Sequence, residues 1–181
     1  MNIFTVGHST LTGEQFIQML IDTEIEHIVD VRAFPASRKF PQFNQEALIN
    51  ALEEKGIAYT HLTSLGGRRG TSNNVGENLN EGWRNRSFHN YADYTLTESF
   101  LEGLNSLKQL AKKHRVAYMC SERHPARCHR LLISNKLTVD GWDVFHIVPQ
   151  NDKTELVKHE LGQWGAMPII EADDTVVYPK I

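Results

Sequence analysis

Two spacings of apolar residues alternate along the chain. Short runs rich in β-branched and aromatic residues are typical of strands, and stretches with apolar residues every three or four positions separate them. The predicted strands are 3–6, 27–31, 57–60, 116–119 and 142–148. The alternation predicts an α/β fold. It would be a single domain with a mainly parallel central sheet of about five strands and helices on both faces, a Rossmann-like layering. The sequence does not specify the strand order.

Local signals place helices between these strands. Thr12 and Gln15 form a capping box before an apolar stripe, and Thr95 with Glu98 has the same spacing before a longer one. Asn44 is expected to cap another helix. Helices are therefore predicted after residues 12, 44 and 95, over 128–138, and as a short helical pattern over 156–161.

Residues 63–94 interrupt the alternation. They are rich in glycine, asparagine and arginine and have little apolar periodicity, so we predict a long insertion loop. A loop of this length inside a compact domain is more often functional than incidental. The domain is predicted to span residues 1–181, with residues 150–181 as a C-terminal extension.

Composition narrows the class of protein. With 181 residues and a net charge of -3, the chain is not suited to generalised electrostatic binding of nucleic acid, although a local basic patch remains open. No apolar run approaches the roughly 20 residues that cross a bilayer, and no basic segment precedes the apolar N-terminus as in a signal peptide. Two cysteines without an export signal predict a reduced, cytoplasmic protein that is not bound to a membrane. The oligomeric state is not specified.

Polar side chains directly follow several predicted strands. Because the carboxyl ends of parallel strands meet at one edge of a sheet, His8, Arg32, His61 and the segment 120–130 are expected to gather there. That segment holds both cysteines, two histidines and three arginines. It is therefore the leading candidate for the working site.

The arginines near this edge indicate an anionic substrate, since a guanidinium group binds phosphate or carboxylate through paired hydrogen bonds. Aromatic residues among the loop arginines would add stacking surface for a base. Alternatively, these arginines lie on a solvated loop and pair with Glu77 and Glu81. The residues predicted to bind substrate are Ser9, Arg32, Ser37, Arg38, Arg68, Arg69, Trp83, Tyr91, Arg127, His129 and Arg130.

Two carboxylates and a histidine are candidates for acid–base catalysis. Glu122 and Asp30 lie at strand ends beside arginines, where they would act as general bases or form ion pairs. His8 follows the first strand and could transfer protons or contact the substrate.

Cys128 is the candidate nucleophile. It is predicted near the first turn of its helix, where backbone N–H groups and flanking arginines lower the pKa of a thiol. The thiolate would attack the substrate or carry a persulfide sulfur. Alternatively, Cys128 packs as a small apolar residue.

The same segment does not match the usual metal or phosphatase motifs. Zinc accepts cysteine and histidine ligands, and the segment offers Cys120, Cys128, His124 and His129. Their spacing is unusual, however, and the adjacent side chains of Cys128 and His129 would diverge on a helix. A Cys-x5-Arg phosphatase loop is one residue shorter than the interval from Cys120 to Arg127. Walker and Rossmann glycine motifs are absent. Neither a metal site nor a cofactor is predicted.

Five groups of residues together resemble a known family. They are Thr5-Val-Gly-His-Ser9, Val29-Asp-Val-Arg32 with Pro35 and Ser37-Arg38, Leu65-Gly-Gly67, Tyr91-Ala92, and Cys120-Ser-Glu122 with Cys128-His-Arg130. In this order they are similar to the bacterial and archaeal family called "domain of unknown function 488", from residue 3 to about residue 148. The resemblance implies an α/β cytosolic domain whose shared polar positions coincide with the strand-end residues. It implies no established reaction.

The favoured hypothesis is an enzyme of the hydrolase or glycosidase type that acts on a phosphorylated, base-containing substrate, either a nucleotide or a nucleic acid. The arginines would hold phosphate, and the loop 63–94 would close over the base. A non-catalytic module that binds nucleic acid or a nucleotide is the first alternative. A cysteine-dependent sulfurtransferase or redox enzyme is the second.

Overall fold

The central sheet of the computed structural model, which describes residues 1–181, contains six strands: β1 (Asn2–Gly7), β2 (His27–Asp30), β3 (Ala58–His61), β4 (Val116–Cys120), β5 (Asp143–Gln150) and β6 (Lys153–Lys158). Their order is β3-β2-β4-β1-β5-β6. All neighbours are parallel except β5 and β6, which are antiparallel. Two short strands, β7 (Ile169–Ile170) and β8 (Val176–Val177), pair separately.

Five helices accompany the sheet: α1 (Gly13–Asp22), α2 (Gln45–Glu53), α3 (Arg86–Tyr94), α4 (Glu98–Lys113) and α5 (Arg130–Val139). The predicted α/β class with a mainly parallel sheet is confirmed. No helix is both long and apolar enough to cross a membrane.

Apolar residues of the strands pack on both faces of the sheet. Because neighbouring residues of a strand point to opposite faces, Ile3 joins the core beneath α4 and α5, and Phe4 joins the core beneath α1 and α2. Every residue of β4 is buried, which explains its continuous apolar sequence.

The strand order creates a crevice at the carboxyl edge of the sheet. From β1 the chain crosses to β2 and β3 on one side, then returns to β4, which lies between β2 and β1, and finally adds β5 on the other side. In such sheets, ligands bind where the connections diverge. The polar residues that follow β1, β2 and β4 therefore face one crevice.

Two predicted helix caps are wrong in detail. Helix α4 is capped by Thr97, whose hydroxyl accepts from the Phe100 amide at 3.2 Å, whereas the Thr95 hydroxyl donates to the Ala92 carbonyl. Asn44 precedes α2, but its side chain accepts from the Ser37 amide at 2.6 Å and so fixes the loop after β2. The capping box of Thr12 and Gln15 is present as predicted.

The helical pattern predicted over 156–161 is also wrong, because residues Lys153–Lys158 form β6. Asn151 has a φ of 53°, which allows a tight turn that folds β6 back onto β5. Long-range pairing thus outweighs a weak local pattern.

The interval 63–94 contains more structure than the predicted loop. The Asn85 side chain accepts from the Ser87 and Phe88 amides and begins α3. The residues between β3 and α3 form only two short 3₁₀ turns, at Thr63–Leu65 and Glu77–Asn80.

Candidate functional site

A cleft of about 670 Å³ opens at the carboxyl edge of β1, β2 and β4. Four parts of the chain line it: the ends of these strands, the loop after β2, the interval between β3 and α3 with the start of α3, and the segment before α5. The lining residues include His8, Arg32, Phe34, Ser37, Phe40, Gly67, Arg68, Phe88, Cys120, Ser121, Glu122, Arg127, Cys128 and His129.

The structure brings about half of the predicted site residues into this cleft. Those lining it are His8, Arg32, Ser37, Arg68, Glu122, Arg127, Cys128 and His129. The other predicted residues lie elsewhere. Asp30 and Arg130 are fully buried, and Ser9 faces a neighbouring depression. Arg38 is exposed outside the cleft lining, and the wall is supported by Arg69, Trp83 and Tyr91.

Asp30 is engaged within the protein. Arg32 donates to its carboxylate from Nε at 3.0 Å and from Nη2 at 2.8 Å, and the Tyr59 hydroxyl donates at 2.6 Å. This buried ion pair fixes the Arg32 guanidinium at the cleft wall. The geometry therefore favours the ion-pair role of Asp30 over that of a base.

His8 lies at the bottom of the cleft as a neutral imidazole. Its ring stacks on Phe43 with centroids 4.3 Å apart, and Nδ1 lies 2.9 Å from the Ser9 carbonyl oxygen. That carbonyl can only accept, so Nδ1 carries the proton and Nε2 is left as an acceptor. Burial lowers the pKa of His8 to about 4.

Cys128 lies two residues before α5, and its sulfur acts as an N-cap for the first amide of that helix. Its backbone is extended, with φ −140° and ψ 152°, and its Sγ accepts from the Arg130 amide at 3.4 Å. A sulfur there faces the positive end of the helix dipole.

His129 is the partner of this sulfur. Its Nε2 lies 2.7 Å from the Val31 carbonyl oxygen and donates to it, so Nδ1 carries a lone pair, 3.4 Å from Cys128 Sγ. The predicted divergence of these two side chains is wrong, because Cys128 precedes the helix instead of lying within it. A nucleophile, a base and a group that orients the base are thus assembled.

Gly67 makes room for the His129 ring. A Cβ on Gly67 would lie 2.5 Å from Nδ1. The glycine is therefore required at this position, beneath the imidazole.

Arg130 provides the charge beneath the two thiols. It is fully buried, and Nε donates to Cys120 Sγ at 2.8 Å, Nη1 to Thr5 Oγ1 at 2.7 Å and Nη2 to the Glu122 carbonyl at 2.7 Å. No carboxylate pairs with it. An arginine stays protonated, and a buried charge needs a counter-charge.

The two thiols differ in their tendency to ionise. Burial and a hydrogen bond with Cys128 raise the pKa of Cys120 well above its ordinary value. Burial alone would raise the pKa of Cys128, but the hydrogen bond from Cys120 and the charge of Arg130 outweigh it and lower that pKa. Cys128 is thus the thiol that ionises first and can balance Arg130.

The model of one protein family, described as domain of unknown function DUF488, matches residues 12–137. The chain belongs to this family. The matched range includes Arg32 with the loop after β2, and the segment 120–130. The motif Thr5–Ser9, which also resembles the family, lies outside this range. Neither the curated proteins nor the solved structures gave a significant match to this DUF488 chain.

Charges at the mouth of the DUF488 cleft are mostly unpaired. Arg68 and Arg127 form no ion pair, and neither Glu77 nor Glu81 pairs with a loop arginine. The exposed Glu122 carboxylate makes no hydrogen bond within the protein and is free to meet a ligand. No three His, Cys, Asp or Glu side chains are grouped so that they could hold a metal ion.

Three predicted ligands instead hold the cleft wall together. Arg69 donates to the Gly66 and Thr63 carbonyls and stacks 3.7 Å from the Tyr94 ring centroid. The Tyr91 hydroxyl donates to the Leu65 carbonyl at 2.9 Å. Trp83 is buried and stacks on Phe88, whose ring reaches the cleft.

Two lining residues, Phe34 and Phe40, lie on the loop after β2 and were not predicted as site residues. Cys120, which ends β4, and Ser121, which follows it, line the cleft within the predicted segment 120–130. Phe34 is 67% exposed, and the Arg68 guanidinium lies 5.2 Å from its ring centroid. The nearby Pro35 and Arg38, already noted in the sequence, are the signal that could have identified Phe34.

Proposed function

We propose that this protein is an enzyme that acts on a phosphorylated, base-containing substrate, with Cys128 as its nucleophile. The observation that carries the proposal is the placement of Cys128 Sγ 3.4 Å from His129 Nδ1 and 3.4 Å from the Arg130 amide, at the edge of an arginine-lined cleft. Free thiols suit a reducing environment, so the proposal includes a cytoplasmic location.

The cleft offers suitable groups for each part of such a substrate. The unpaired guanidiniums of Arg68 and Arg127 would bind phosphate, and Arg32 is fixed beside them by Asp30. Phe34, Phe40 and Phe88 present aromatic surface on which a base would stack.

The proposed reaction is a nucleophilic substitution. His129 Nδ1 takes the Cys128 proton, and Sγ forms a bond to the electrophilic centre as the bond to the leaving group breaks. The leaving group receives the proton from His129. A water molecule then attacks the same centre, the neutral His8 Nε2 or Glu122 takes its proton as the general base, and the bond to Sγ breaks. The departing thiolate finally recovers that proton, which restores Cys128.

Alkylation tests the nucleophile without knowledge of the natural substrate. Iodoacetamide should modify one cysteine at pH 7, with a rate that titrates below the ordinary thiol pKa of about 8.5. Cys128→Ser should abolish this labelling, Cys120→Ser should retain it, and adenosine monophosphate should slow it. Arg68→Ala with Arg127→Ala should remove that protection. An unreactive Cys128, or labelling that the nucleotide does not slow, would contradict the proposal.

A second candidate rests on the free carboxylate of Glu122. If the reaction is hydrolysis of a glycosidic bond or hydrolysis of a group on the nucleobase, Glu122 would be the general base and the Cys128 thiol would be dispensable. Once a turnover assay on nucleotides is available, loss of activity in Glu122→Gln with retention in Cys128→Ser would select this candidate.

A further inference from the structure

A second depression, of about 580 Å³, adjoins the cleft. Phe40, Ser121, Glu122 and Arg127 line both, so the two are continuous along one wall. The residues found only in the second are Ser9, Thr10, Lys39, Arg123 and His124.

The second depression is polar and positively charged. Lys39, Arg123 and Arg127 face a single acidic side chain, Glu122, and none of the three cations forms an ion pair. The Arg123 guanidinium is anchored by donating to the Pro149 carbonyl. Hydroxyl groups beside lysine and arginine are the usual contacts of phosphate groups in nucleic acids.

We propose that this depression binds a second phosphate of the same substrate, and that the substrate is a single-stranded oligonucleotide. This deepens the proposed function and rests on it. A mononucleotide fills only the cleft that contains Cys128. An oligonucleotide would place one phosphate near Arg68 and the next phosphate near Lys39 and Arg123. One of its bases would stack on the exposed Phe34.

Binding of a short fluorescent single-stranded oligonucleotide tests this proposal. Lys39→Ala with Arg123→Ala should weaken binding about tenfold at low salt and reduce the slope of log K against log salt by about 0.7, the contribution of the one phosphate that the depression holds. Lys112→Ala with Lys113→Ala, exposed on α4, removes the same charge and should change neither quantity.

Two results would overturn the second subsite: unchanged binding in the Lys39 and Arg123 double variant, or equally tight binding of adenosine diphosphate and the oligonucleotide. Failure of the proposed function looks different. Adenosine monophosphate would not protect Cys128, while oligonucleotide binding would still depend on Lys39 and Arg123.

A separate observation concerns a chain of buried hydrogen bonds that begins at Arg130. Its links are Arg130 Nη1 to Thr5 Oγ1 (2.7 Å), Thr5 Oγ1 to His146 Nδ1 (2.7 Å), His146 Nε2 to His159 Nδ1 (2.9 Å), His159 Nε2 to Asn135 Oδ1 (2.7 Å), and Asn135 Nδ2 to Tyr178 Oη (3.0 Å). We call these residues the Arg130 relay. All are at most 3% exposed.

The direction of every bond in the relay follows from its two ends and from the neutrality of its histidines. Asn135 Oδ1 can only accept, so His159 donates to it from Nε2. Burial lowers the pKa of both histidines and keeps them neutral, so His159 Nδ1 accepts from His146 Nε2, and His146 Nδ1 accepts from the Thr5 hydroxyl. That hydroxyl in turn accepts from Arg130, which can only donate.

We infer that the relay holds the Arg130 guanidinium against Cys120, which makes Thr5, His146 and His159 positioning residues for the proposed thiolate of Cys128. Because the hydrogen bonds of the relay have a single set of donors and acceptors, Thr5 Oγ1 accepts from Arg130 Nη1 in one fixed position. The Arg130 guanidinium is thereby held in one orientation. Removal of the Thr5 hydroxyl leaves Nη1 without its acceptor and His146 without its donor.

Thr5→Val and Thr5→Ser form a matched pair for this test. Valine keeps the volume and removes the hydroxyl, whereas serine keeps the hydroxyl. Thr5→Val should raise the alkylation midpoint of Cys128 by about one pH unit and speed exchange of the Arg130 Nε proton in nuclear magnetic resonance spectra. Thr5→Ser should change neither.

A Thr5→Val protein that melts at a lower temperature but keeps the wild-type midpoint and exchange rate would overturn the positioning role. If wild-type Cys128 shows no titration at all, the proposed nucleophile fails, and the Arg130 exchange rate alone decides whether the relay positions the guanidinium.

Discussion

Acidification from pH 6 to pH 4.5 should lower the free energy of unfolding by about 2 kcal/mol for each of His146 and His159. Burial lowers the pKa of His146 to about 2 and that of His159 to about 4. Below pH 6.5 both histidines take up protons in the unfolded chain but not in the folded one, so acid favours unfolding. Stability rises with pH and is complete above about pH 7. The measurement is urea unfolding at a series of pH values.

The contribution of one histidine can be separated from that of the carboxylates. His159→Gln should reduce the slope of unfolding free energy against pH by about 1.2 kcal/mol per unit between pH 6 and pH 4.5. Asn50→Gln, at an exposed position of α2 and without a titratable group, serves as the control and should leave the slope unchanged. Equal slopes in His159→Gln and wild type would mean that His159 is protonated in the folded protein.

Gly7→Ala should destabilise the fold by more than about 3 kcal/mol. A Cβ on Gly7 would lie 1.6 Å from the Glu122 carbonyl oxygen, and this backbone atom cannot move without loss of its bond from Arg130. The backbone on either side is held by bonds from the His8 and Ser9 amides to the Cys120 and Ser121 carbonyls. Thermal and urea unfolding would measure the loss.

Gly70→Ala is the matched control, because a Cβ there meets nothing within 4 Å. It should be neutral or slightly stabilising, since alanine restricts the unfolded chain. Equal effects at Gly7 and Gly70 would contradict the close approach of β1 to the Glu122 carbonyl.

The parts of the fold that were predictable depend on local interactions. The Thr12 capping box involves residues three positions apart, and the strands β1, β2 and β4 are marked by their own apolar composition. Strand β6 was missed because only its partner β5 makes it a strand. Helix α3 was missed because its first turn contains arginine, serine and histidine, and its stability comes from the Asn85 cap and from packing of Tyr91.

The location of the site could be predicted from the sequence, but most contacts of its residues could not. Residues that end parallel strands must share one edge, so His8, Arg32 and Glu122 could be assigned to it from the sequence. Whether an arginine faces solvent or the core depends on tertiary packing. Arg130 and Arg68 look alike in the sequence, yet one is fully buried and the other is exposed.

The Arg130 relay also favours one alignment of β5 against β1. Thr5 of β1 lies directly opposite His146 of β5 in the parallel ladder, and the hydroxyl and imidazole meet only in this alignment. A shift of one residue would place Phe145 or Ile147 opposite Thr5 and would turn the His146 ring to the other face of the sheet. Two buried polar groups would then lose their partners, at a cost of about 1–3 kcal/mol each. The polar residues in the core thus add to apolar packing in selecting one register of β5 against β1.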